Sequence, residues 1–317
     1  MPDPQRGVVT LGESMVLFAS TMVGHLWDAG PVRVSVAGSE SNVAIGLRRL
    51  GLPATWIGRV GNDDLGTMVL RTLRAEDVTV LHTVDGNRTG VMIKTIRPFG
   101  AASVYYYREG SAGSTLCATD IPPDIIAAAG MLHITGITPA LSVTSREAVR
   151  QSVEIARSRG VPISFDVNFR RTLWDADEAR KPLLFLAENS DIIFADLDEA
   201  ALLVGEASPT ETIDRLSRLG PRQIVLKRGS RGVIALIDGG IFEQPALPVS
   251  IVDGVGAGDA FAAAYLAGEI LEITPADRLR HAALSSALVL STLGDWEGLP
   301  TRAELMSTDT GDGTVQR

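Results

Sequence analysis

The sequence predicts an α/β protein with a mainly parallel central sheet and helices on both of its faces. Short apolar runs alternate with helical patterns along most of the 317 residues, and strands separated by helices pair in parallel through crossover connections. With 45% hydrophobic residues, a chain of this length buries a full core without disulfides or metals. We expect one domain over residues 1–317, since single α/β enzymes commonly reach this size.

Individual elements follow from local patterns in chain order. Residues 41–50 place apolar side chains at helical spacing and end at Gly51, where a glycine suits a helix terminus. Comparable runs define the other elements of the main layer. Strands are predicted at 8–17, 54–60, 131–135, 161–167, 191–195 and 223–227, and helices at 145–159, 177–189, 211–219, 260–271 and 275–292.

Two early stretches, at about 14–36 and 88–110, break the strand–helix rhythm. The second contains two alternating runs, 90–96 and 103–109, on either side of the turn sequence at 98–100. This pattern is typical of an antiparallel hairpin. Antiparallel strands inserted into an α/β chain predict a small β-sheet lid rather than a second domain.

The charge balance excludes one broad class of function. Lys and Arg number 29 against 38 Asp and Glu, which gives a net charge of −9 and a pI near 5.0. A general nucleic-acid binder needs a basic face, so nucleic acid is not an expected partner. The only lysines are Lys94, Lys181 and Lys227. None fits the phosphate-loop pattern G-x-x-x-x-G-K-S/T, so any nucleotide must be bound without that lysine.

The cysteine and histidine content argues against disulfide and zinc sites. Cys117 is the single cysteine, which excludes an internal disulfide and suits a reducing compartment. His25, His82, His133 and His281 are isolated, without the spacing of a zinc site. No apolar run of about 18 residues predicts a membrane span, and the first residues lack a signal-peptide pattern. We therefore expect a cytoplasmic protein without membrane contact.

The strongest chemical signal is the sequence D-G-V-G-A-G-D at 253–259, which opens an apolar helix. Small residues at Gly256, Ala257 and Gly258 let the backbone approach a ligand, and their N–H groups at a helix N-terminus form an anion site. Asp259 either complements the helix dipole or acts as a general base towards the bound group. A dinucleotide fingerprint is excluded, since it requires a glycine where Asp259 stands.

A second glycine loop, A-G-S-E-S-N at 37–42, leads into another helix. Gly38 and Asn42 could present amide donors and acceptors to a polyhydroxylated ligand, although Gly-Ser before a helix also serves simple capping. Together the two loops resemble those of the ribokinase (PfkB-type) sugar kinases. The resemblance implies a ribokinase-like three-layer sandwich with a β-sheet lid over the sugar. It also implies that Asp259 takes a proton from the sugar hydroxyl beside an anion hole formed by Gly256, Ala257 and Gly258.

The same resemblance implies ATP and Mg²⁺ as cofactors. The run K-R-G-S-R-G beginning at Lys227 resembles the family's turn beside the ATP ribose and adenine, with Gly229 and Gly232 as its glycines. A helix over residues 280–290, rich in Ala and Ser, would cover the base. A monovalent cation such as K⁺ is left open by the sequence. Phosphoryl transfer depends on positioning and charge stabilisation, which backbone donors and Mg²⁺ would supply without a phosphate-loop lysine.

Three sites in the sequence, one of them the pair Ser39-Glu40, depart from the family pattern. Gly254 stands where the family usually has Thr, and Ser39-Glu40 stands where a small residue is usual. Asp196 replaces the Asn of the N-x-x-E motif, whose acid is Glu199. The resemblance implies that Glu199 and Asp196 organise Mg²⁺ through water, whereas the same acids also suit the first turn of a helix.

The sequences around Glu13 and Glu40, Gly-Glu at 12–13 and Gly-Ser-Glu-Ser-Asn at 38–42, resemble those of the 2-keto-3-deoxygluconate kinase branch of this family. That resemblance implies a sugar-acid substrate. On a strand, Tyr106 and Arg108 share a face, and Arg170 follows the carboxyl end of a predicted strand, where α/β sheets bind ligands. Two arginines in one pocket would pair with a carboxylate. The predicted substrate-binding set is Glu13, Gly38, Asn42, Tyr106, Arg108, Arg170 and Asp259.

Other interpretations stay open at this point. A kinase of the same family acting on fructose, ribose or a nucleoside would have no use for Arg108 and Arg170 as carboxylate ligands. Arg170 and Arg171 would then form a solvated pair. A catalytically silent sugar-binding protein is the second alternative, supported only by Gly254 and Asp196. The tyrosines at 105–107 would serve lid packing or a dimer contact. We expect a homodimer, because lids of this family are often dimer contacts.

Overall fold

The structure is a computed structural model that describes residues 7–25, 30–97 and 102–309. Within these ranges the protein contains thirteen strands and eleven α-helices. The strands are β1 (Val8–Leu11), β2 (Met15–Val23), β3 (Val32–Ala37), β4 (Ala54–Gly61), β5 (Thr79–Asp85), β6 (Val91–Ile96), β7 (Ala102–Tyr107), β8 (Met131–Thr135), β9 (Ile163–Asp166), β10 (Ile192–Asp196), β11 (Gln223–Lys227), β12 (Val233–Ile237) and β13 (Gly240–Gln244). The helices are α1 (Ser39–Arg49), α2 (Asp64–Ala75), α3 (Pro123–Ala128), α4 (Thr138–Leu141), α5 (Val143–Arg159), α6 (Ala176–Glu188), α7 (Leu197–Val204), α8 (Pro209–Ser217), α9 (Ala257–Ile270), α10 (Pro275–Leu290) and α11 (Arg302–Asp309).

The main layer is a nine-stranded sheet in the order β13-β12-β11-β10-β9-β8-β1-β4-β5. The pairs from β11 through β5 are parallel, and the β11–β12 and β12–β13 pairs are antiparallel. Consecutive residues of a strand point to opposite faces, and Ile193 and Phe194 on β10 accordingly enter two separate apolar cores. One core includes residues of α1, α9 and α10, and the other includes residues of α5, α6 and α8. The predicted α/β fold is confirmed.

A smaller sheet joins four strands in the order β3-β2-β6-β7. Within it β2 and β6 are parallel, and the two outer pairs are antiparallel. These strands lie in the stretches at about 14–36 and 88–110 that the sequence sets apart, with β3 ending one residue later at Ala37. The predicted turn at 98–100 lies outside the described residues. We refer to these four strands below as the small sheet.

One predicted strand, 8–17, is wrong as a single element. The chain forms β1 in the main sheet, breaks at residues 12–14, and continues as β2 in the small sheet. Apolar residues on both sides of the break, Leu11 and Met15, conceal it in the sequence. Within the break, residue 12 packs so closely against Glu40 that only glycine fits. A Cβ placed on Gly12 would lie 2.5 Å from the carboxyl carbon of Glu40. The sequence prediction also missed α2, β5, α3, α4, α7, β12, β13 and α11.

The parallel register brings the carboxyl ends of β1, β8, β9, β10 and β11 to one edge of the main sheet. Open α/β sheets bind ligands at such an edge. Among the described residues, no helix has the length and apolar character needed to cross a bilayer.

Candidate active site

Strand ends of the main sheet deliver polar side chains to one cavity of about 640 Å³. Asp166, Asp196 and Lys227 are the last residues of β9, β10 and β11, and Glu13 follows β1. All four line the cavity. The site therefore forms where the parallel topology predicts it.

The N-terminus of α9 reaches this cavity through the motif at 253–259. Gly256 is the N-cap residue, with a φ of 81°. A Cβ placed on Gly256 would lie 1.8 Å from the carbonyl oxygen of Asp295, so both the backbone angle and the space require glycine. No side chain caps the helix. The first-turn N–H groups of α9 are therefore available to an anion.

Asp259 lies on the first turn of α9 and lines the cavity with a buried carboxyl group. Ser39 Oγ donates to its Oδ1 at 2.6 Å, and Asn42 Nδ2 donates to its Oδ2 at 2.8 Å. Burial raises the pKa of Asp259 to about 7, and the carboxyl groups of Asp295 and Asp166 add to the rise, while the two hydrogen bonds oppose it. A carboxyl group that titrates near neutral pH suits a general base.

Asn42 lies behind Asp259 and does not line the cavity. Its Nδ2 also donates to Asp295 Oδ2 at 3.1 Å, so a single amide bridges two carboxyl groups. Burial raises the pKa of Asp295 to about 6, while Lys94 acts in the opposite direction. Asn42 Oδ1 is buried without a hydrogen-bond partner in the described part of the chain. The predicted contact between Asn42 and a substrate stays a prediction, whereas its hold on Asp259 is direct.

The far end of the cavity contains an ion pair between Glu13 and Arg108. Arg108 Nε donates to Glu13 Oε2 at 2.7 Å, and Ser111 Oγ donates to Glu13 Oε1. The Arg108 guanidinium also lies 5.5 Å from the ring centre of Tyr106. As strand alternation predicts, Tyr106 lines the cavity and its neighbours in the run 105–107 do not. Gly38 lines the same cavity, and a Cβ there would lie 2.5 Å from the Glu13 carbonyl oxygen.

Arg170 also lines the cavity but differs from Arg108 in being exposed and without an ion-pair partner among the described residues. Glu13 already balances the charge of Arg108, so Arg170 supplies the uncompensated positive charge at this wall. Nearby, Asn168 has a positive φ of 38°, an uncommon backbone conformation for a residue other than glycine. Its Nδ2 donates to Ser39 Oγ at 3.1 Å, and its buried Oδ1 has no protein partner in the described ranges.

A second cavity of about 630 Å³ shares Lys227, Gly229 and Gly258 with the first. The rest of its wall is mostly apolar, and α10 supplies part of it, as predicted for residues 280–290. Gly229 and Gly232 line this cavity too. The apolar residues are Val233, Ala246, Leu247, Pro248, Val249, Ile251, Ala257, Phe261, Ala283, Ala287 and Leu290.

Lys227 lies at the junction of the two cavities rather than within the apolar one. Its Nζ donates to both carboxyl oxygens of Asp166, at 3.0 and 3.2 Å. A Cβ placed on Gly258 would lie 3.8 Å from this Nζ, so the ammonium group stands beside the first turn of α9. Burial acts to lower the pKa of Lys227, but the carboxylates of Asp166 and Glu199 outweigh it and raise the pKa above its ordinary value.

Asp196 and Glu199 form a reciprocal cap at the start of α7. Asp196 Oδ1 accepts from the Glu199 N–H at 2.8 Å, and Glu199 Oε2 accepts from the Asp196 N–H at 2.8 Å. Glu199 Oε1 accepts from the N–H of Phe169 at 3.0 Å. Both acids also line the first cavity. Burial raises the pKa of Glu199, and the Lys227 ammonium opposes that rise. Among the described residues, no cluster of three metal-ligating side chains could hold a metal directly.

Two departures from the family pattern are absorbed without distortion. A Cβ placed on Gly254 would meet nothing within 4 Å, so a larger residue would also fit there and glycine avoids no clash. The turn is held instead by Asp253, whose Oδ1 accepts from the N–H of Val255 at 3.2 Å. Asp196 performs the N-cap role that Asn performs equally well. Neither position explains a loss of activity.

Several site residues escaped the sequence-based list. Asp166, Asn168, Ser39 and Asp295 line the first cavity, and Ser111 holds Glu13. A signal existed for Asp166, because it ends a buried strand at the ligand-binding edge. Asp295 lies in the segment 294–298, which resembles the same kinase branch, but nothing in that segment indicates its link to Asn42, 253 positions away.

Comparisons with known proteins identify the family of this chain. The model of the pfkB family carbohydrate kinases matches residues 5–302. The 2-dehydro-3-deoxygluconokinase of Bacillus subtilis is 36% identical over 316 residues, 98% of this chain and 97% of that protein. A crystal structure of 2-dehydro-3-deoxygluconokinase from Thermotoga maritima superimposes with a TM-score of 0.92 at 25% identity, covering 98% of this chain and 100% of that one. A candidate ribokinase II from E. coli, in complex with ATP and Mg²⁺, gives 0.89 at 27% identity, covering 96% and 99%.

The matched region contains both glycine loops, the buried carboxyl group of Asp259 and the two cavities that meet beside it. Family, fold and site geometry thus agree over nearly the whole length of the chain. The protein belongs to the PfkB family of carbohydrate kinases.

Proposed function

We propose that this protein transfers the γ-phosphoryl group of ATP to the 6-hydroxyl of 2-keto-3-deoxygluconate, also called 2-dehydro-3-deoxygluconate. The observation that carries the proposal is the position of Asp259, beside the junction of a polar and an apolar cavity at the N-terminus of α9. The polar cavity suits a sugar acid, and the apolar one suits a purine base. Relatives named 2-dehydro-3-deoxygluconokinase support the choice of sugar.

We assign a role to each part of the site in a single displacement reaction. Asp259 accepts the proton of the sugar hydroxyl, and the oxygen bonds to the γ-phosphorus as its bond to the bridging oxygen breaks. ADP leaves with the electron pair of that bond. The N–H groups of the first turn of α9 donate to the phosphoryl oxygens, where negative charge develops. Lys227 places a fixed positive charge on the side of the departing ADP.

Mg²⁺ is proposed as a cofactor held through water. Asp196 and Glu199 line the polar cavity while their carboxylates also accept backbone N–H groups, so they suit hydrogen bonds to metal-bound water more than direct coordination. When bound, Mg²⁺ neutralises charge on the transferring phosphates. The candidate ribokinase II in complex with ATP and Mg²⁺ supports this cofactor pair.

A substrate panel tests the proposed function directly. Purified protein with ATP and Mg²⁺ should release ADP with 2-keto-3-deoxygluconate at a far higher kcat/KM than with fructose, ribose or a nucleoside. ADP release only with a neutral sugar would contradict 2-keto-3-deoxygluconate as the substrate. The absence of ADP release with every sugar would support the catalytically silent sugar-binding alternative.

Arg170 should decide between sugar acids and neutral sugars. Replacing Arg170 with Met removes the uncompensated charge at the cavity wall, and a charge-assisted hydrogen bond lost in this way raises the KM for the sugar acid by about 10- to 100-fold. The KM for any neutral sugar should change little. Arg171, which is exposed and does not line the cavity, gives the matched control Arg171→Met. Equal losses for charged and neutral sugars would contradict a carboxylate partner for Arg170.

We also propose that the small sheet closes over the sugar and forms a homodimer contact. Its exposed face carries large apolar side chains, namely Val32, Val34, Tyr105 and Tyr107. Exposed apolar patches of this kind mark interaction surfaces. Light scattering at micromolar concentration should give the mass of a dimer, and Tyr107→Glu should shift it towards the monomer. A monomeric wild-type protein under those conditions would refute the contact.

A further inference from the structure

Lys94 occupies an unusual position on the small sheet. It lies on β6, where its register partners are Ala19 on β2 and Val104 on β7. The side chain is 0% exposed, and the sheet face it shares is formed by apolar residues such as Met92. Lysine is among the residues least often found fully buried, because removal of an ammonium group from water is costly. A buried lysine on such a face therefore requires a specific partner.

That partner is Asp253, the first residue of the motif at 253–259. Lys94 Nζ lies 2.6 Å from Asp253 Oδ2, and the Asp253 side chain is only 2% exposed. The same carboxylate accepts two backbone N–H groups, from Val255 to Oδ1 and from Gly294 to Oδ2, each at 3.2 Å. One buried ion pair thus joins the small sheet, the turn before the anion hole and the loop at Gly294.

The turn that Asp253 holds is the one that sets the anion hole. It leads directly to Gly256, which packs against the carbonyl oxygen of Asp295. Asp295 in turn shares the amide of Asn42 with Asp259. Gly254 contributes no side chain to the turn, so its position depends on these polar contacts. Lys94 lines neither cavity and touches neither the sugar site nor the nucleotide site.

We infer that Lys94 is a positioning residue for phosphoryl transfer: its ammonium group fixes Asp253, and through it the anion-hole turn, while anchoring the small sheet to that turn. The inference deepens the proposed function, on which it rests. In the transition state the first-turn N–H groups of α9 must stand at hydrogen-bond distance from the phosphoryl oxygens. A turn released from Asp253 loses that distance, whereas the Glu13–Arg108 pair and the apolar cavity are held by other contacts.

The test compares variants that separate the charge from the fold. Lys94→Met alone leaves a buried carboxylate without a counter-charge, a change that often destabilises a protein. The double variant Lys94→Met, Asp253→Asn removes both charges at nearly constant volume. Lys181→Met is the matched control, because Lys181 is exposed on α6 and lines neither cavity. Each protein is assayed with the sugar that the wild type phosphorylates best, which keeps this test separate from the identity of the substrate.

The double variant should lose about 10²-fold in kcat, the usual cost of a misplaced catalytic group, while the KM values for sugar and ATP stay near those of the wild type. Hydrogen exchange of the amides at 254–258 should be faster than in the wild type and unchanged in Lys181→Met. A folded double variant with wild-type kcat would overturn the inference. So would a fall in Tm with kcat and KM disturbed together, since that pattern indicates a purely structural pair.

Discussion

Replacing Asp259 with Asn is expected to lower kcat by about 10²–10⁴-fold, the usual contribution of a general base. The substitution keeps the shape of the side chain and can retain hydrogen bonds with Ser39 and Asn42, so the cavity walls should stay in place. Binding of ADP should therefore be close to that of the wild type. Kinetics together with calorimetric binding measures both quantities. Near-normal turnover in a folded Asp259→Asn variant would remove Asp259 from the role of base.

The pKa of Asp259 gives this prediction a second readout. Burial raises that pKa from 3.8 to about 7 in the folded protein. The base must be ionised to accept a proton, so kcat/KM of the wild type should rise with pH up to about 7 and then level off. Ser39 donates to the ionised form and lowers the pKa, so Ser39→Ala should move the inflection to higher pH. An unshifted inflection would assign the titration to another group.

The same pKa predicts a stability change of opposite sign to the activity change. Between pH 3.8 and about 7 the folded state binds more protons at this site than the unfolded state. The stabilisation from protonated Asp259 is thus complete below pH 3.8 and is lost as the pH rises through 7. Asn cannot ionise, so Asp259→Asn should have a higher Tm than the wild type at pH 8. The difference should shrink towards pH 5, as thermal unfolding at both pH values would show.

The sequence was sufficient for the parts of the site that lie within one short motif. Gly256, Ala257, Gly258 and Asp259 are neighbours in the chain, and small residues before an apolar helix indicate their geometry directly. The hairpin of β12 and β13 could also have been predicted from the sequence, because Asp-Gly at 238–239 is typical of a two-residue type I′ turn. The structure has the positive φ angles at both residues that this turn requires. The dipeptide Asp-Gly is thus a local signal for this pair of strands.

Contacts between distant segments lay beyond local patterns. Glu13 and Arg108 both belonged to the predicted substrate set, but their mutual pairing at a separation of 95 residues changes what each can do. Because Arg108 is paired with Glu13, Arg170 is the predicted arginine whose charge is available to a carboxylate ligand. Lys94 lies on a predicted strand and Asp253 in the glycine motif, 159 positions away. Nothing in either segment indicates that the two side chains form a buried ion pair.

Lys227 is the position where structure and sequence give different expectations for the same residue. The resemblance implies a contact with the ribose and adenine, which would affect ATP binding before it affected catalysis. The structure places Nζ between Asp166 and the first turn of α9, at the junction of the two cavities. We expect a cation at that junction to face the phosphates rather than the base, and its raised pKa keeps it charged near neutral pH.

Lys227→Met is therefore expected to lower kcat by about 10²–10³-fold, the cost of removing one group that stabilises developing charge. The KM for ATP should rise far less, because the apolar cavity that suits the base is intact. Lys181→Met controls for the loss of a lysine elsewhere, and thermal unfolding shows whether Asp166, left without its partner, disturbs the fold. A variant with normal kcat and a raised KM for ATP alone would instead indicate that Lys227 contacts the ribose and adenine. The ratio of the two effects thus decides whether this chain replaces the missing phosphate-loop lysine with one from the end of β11.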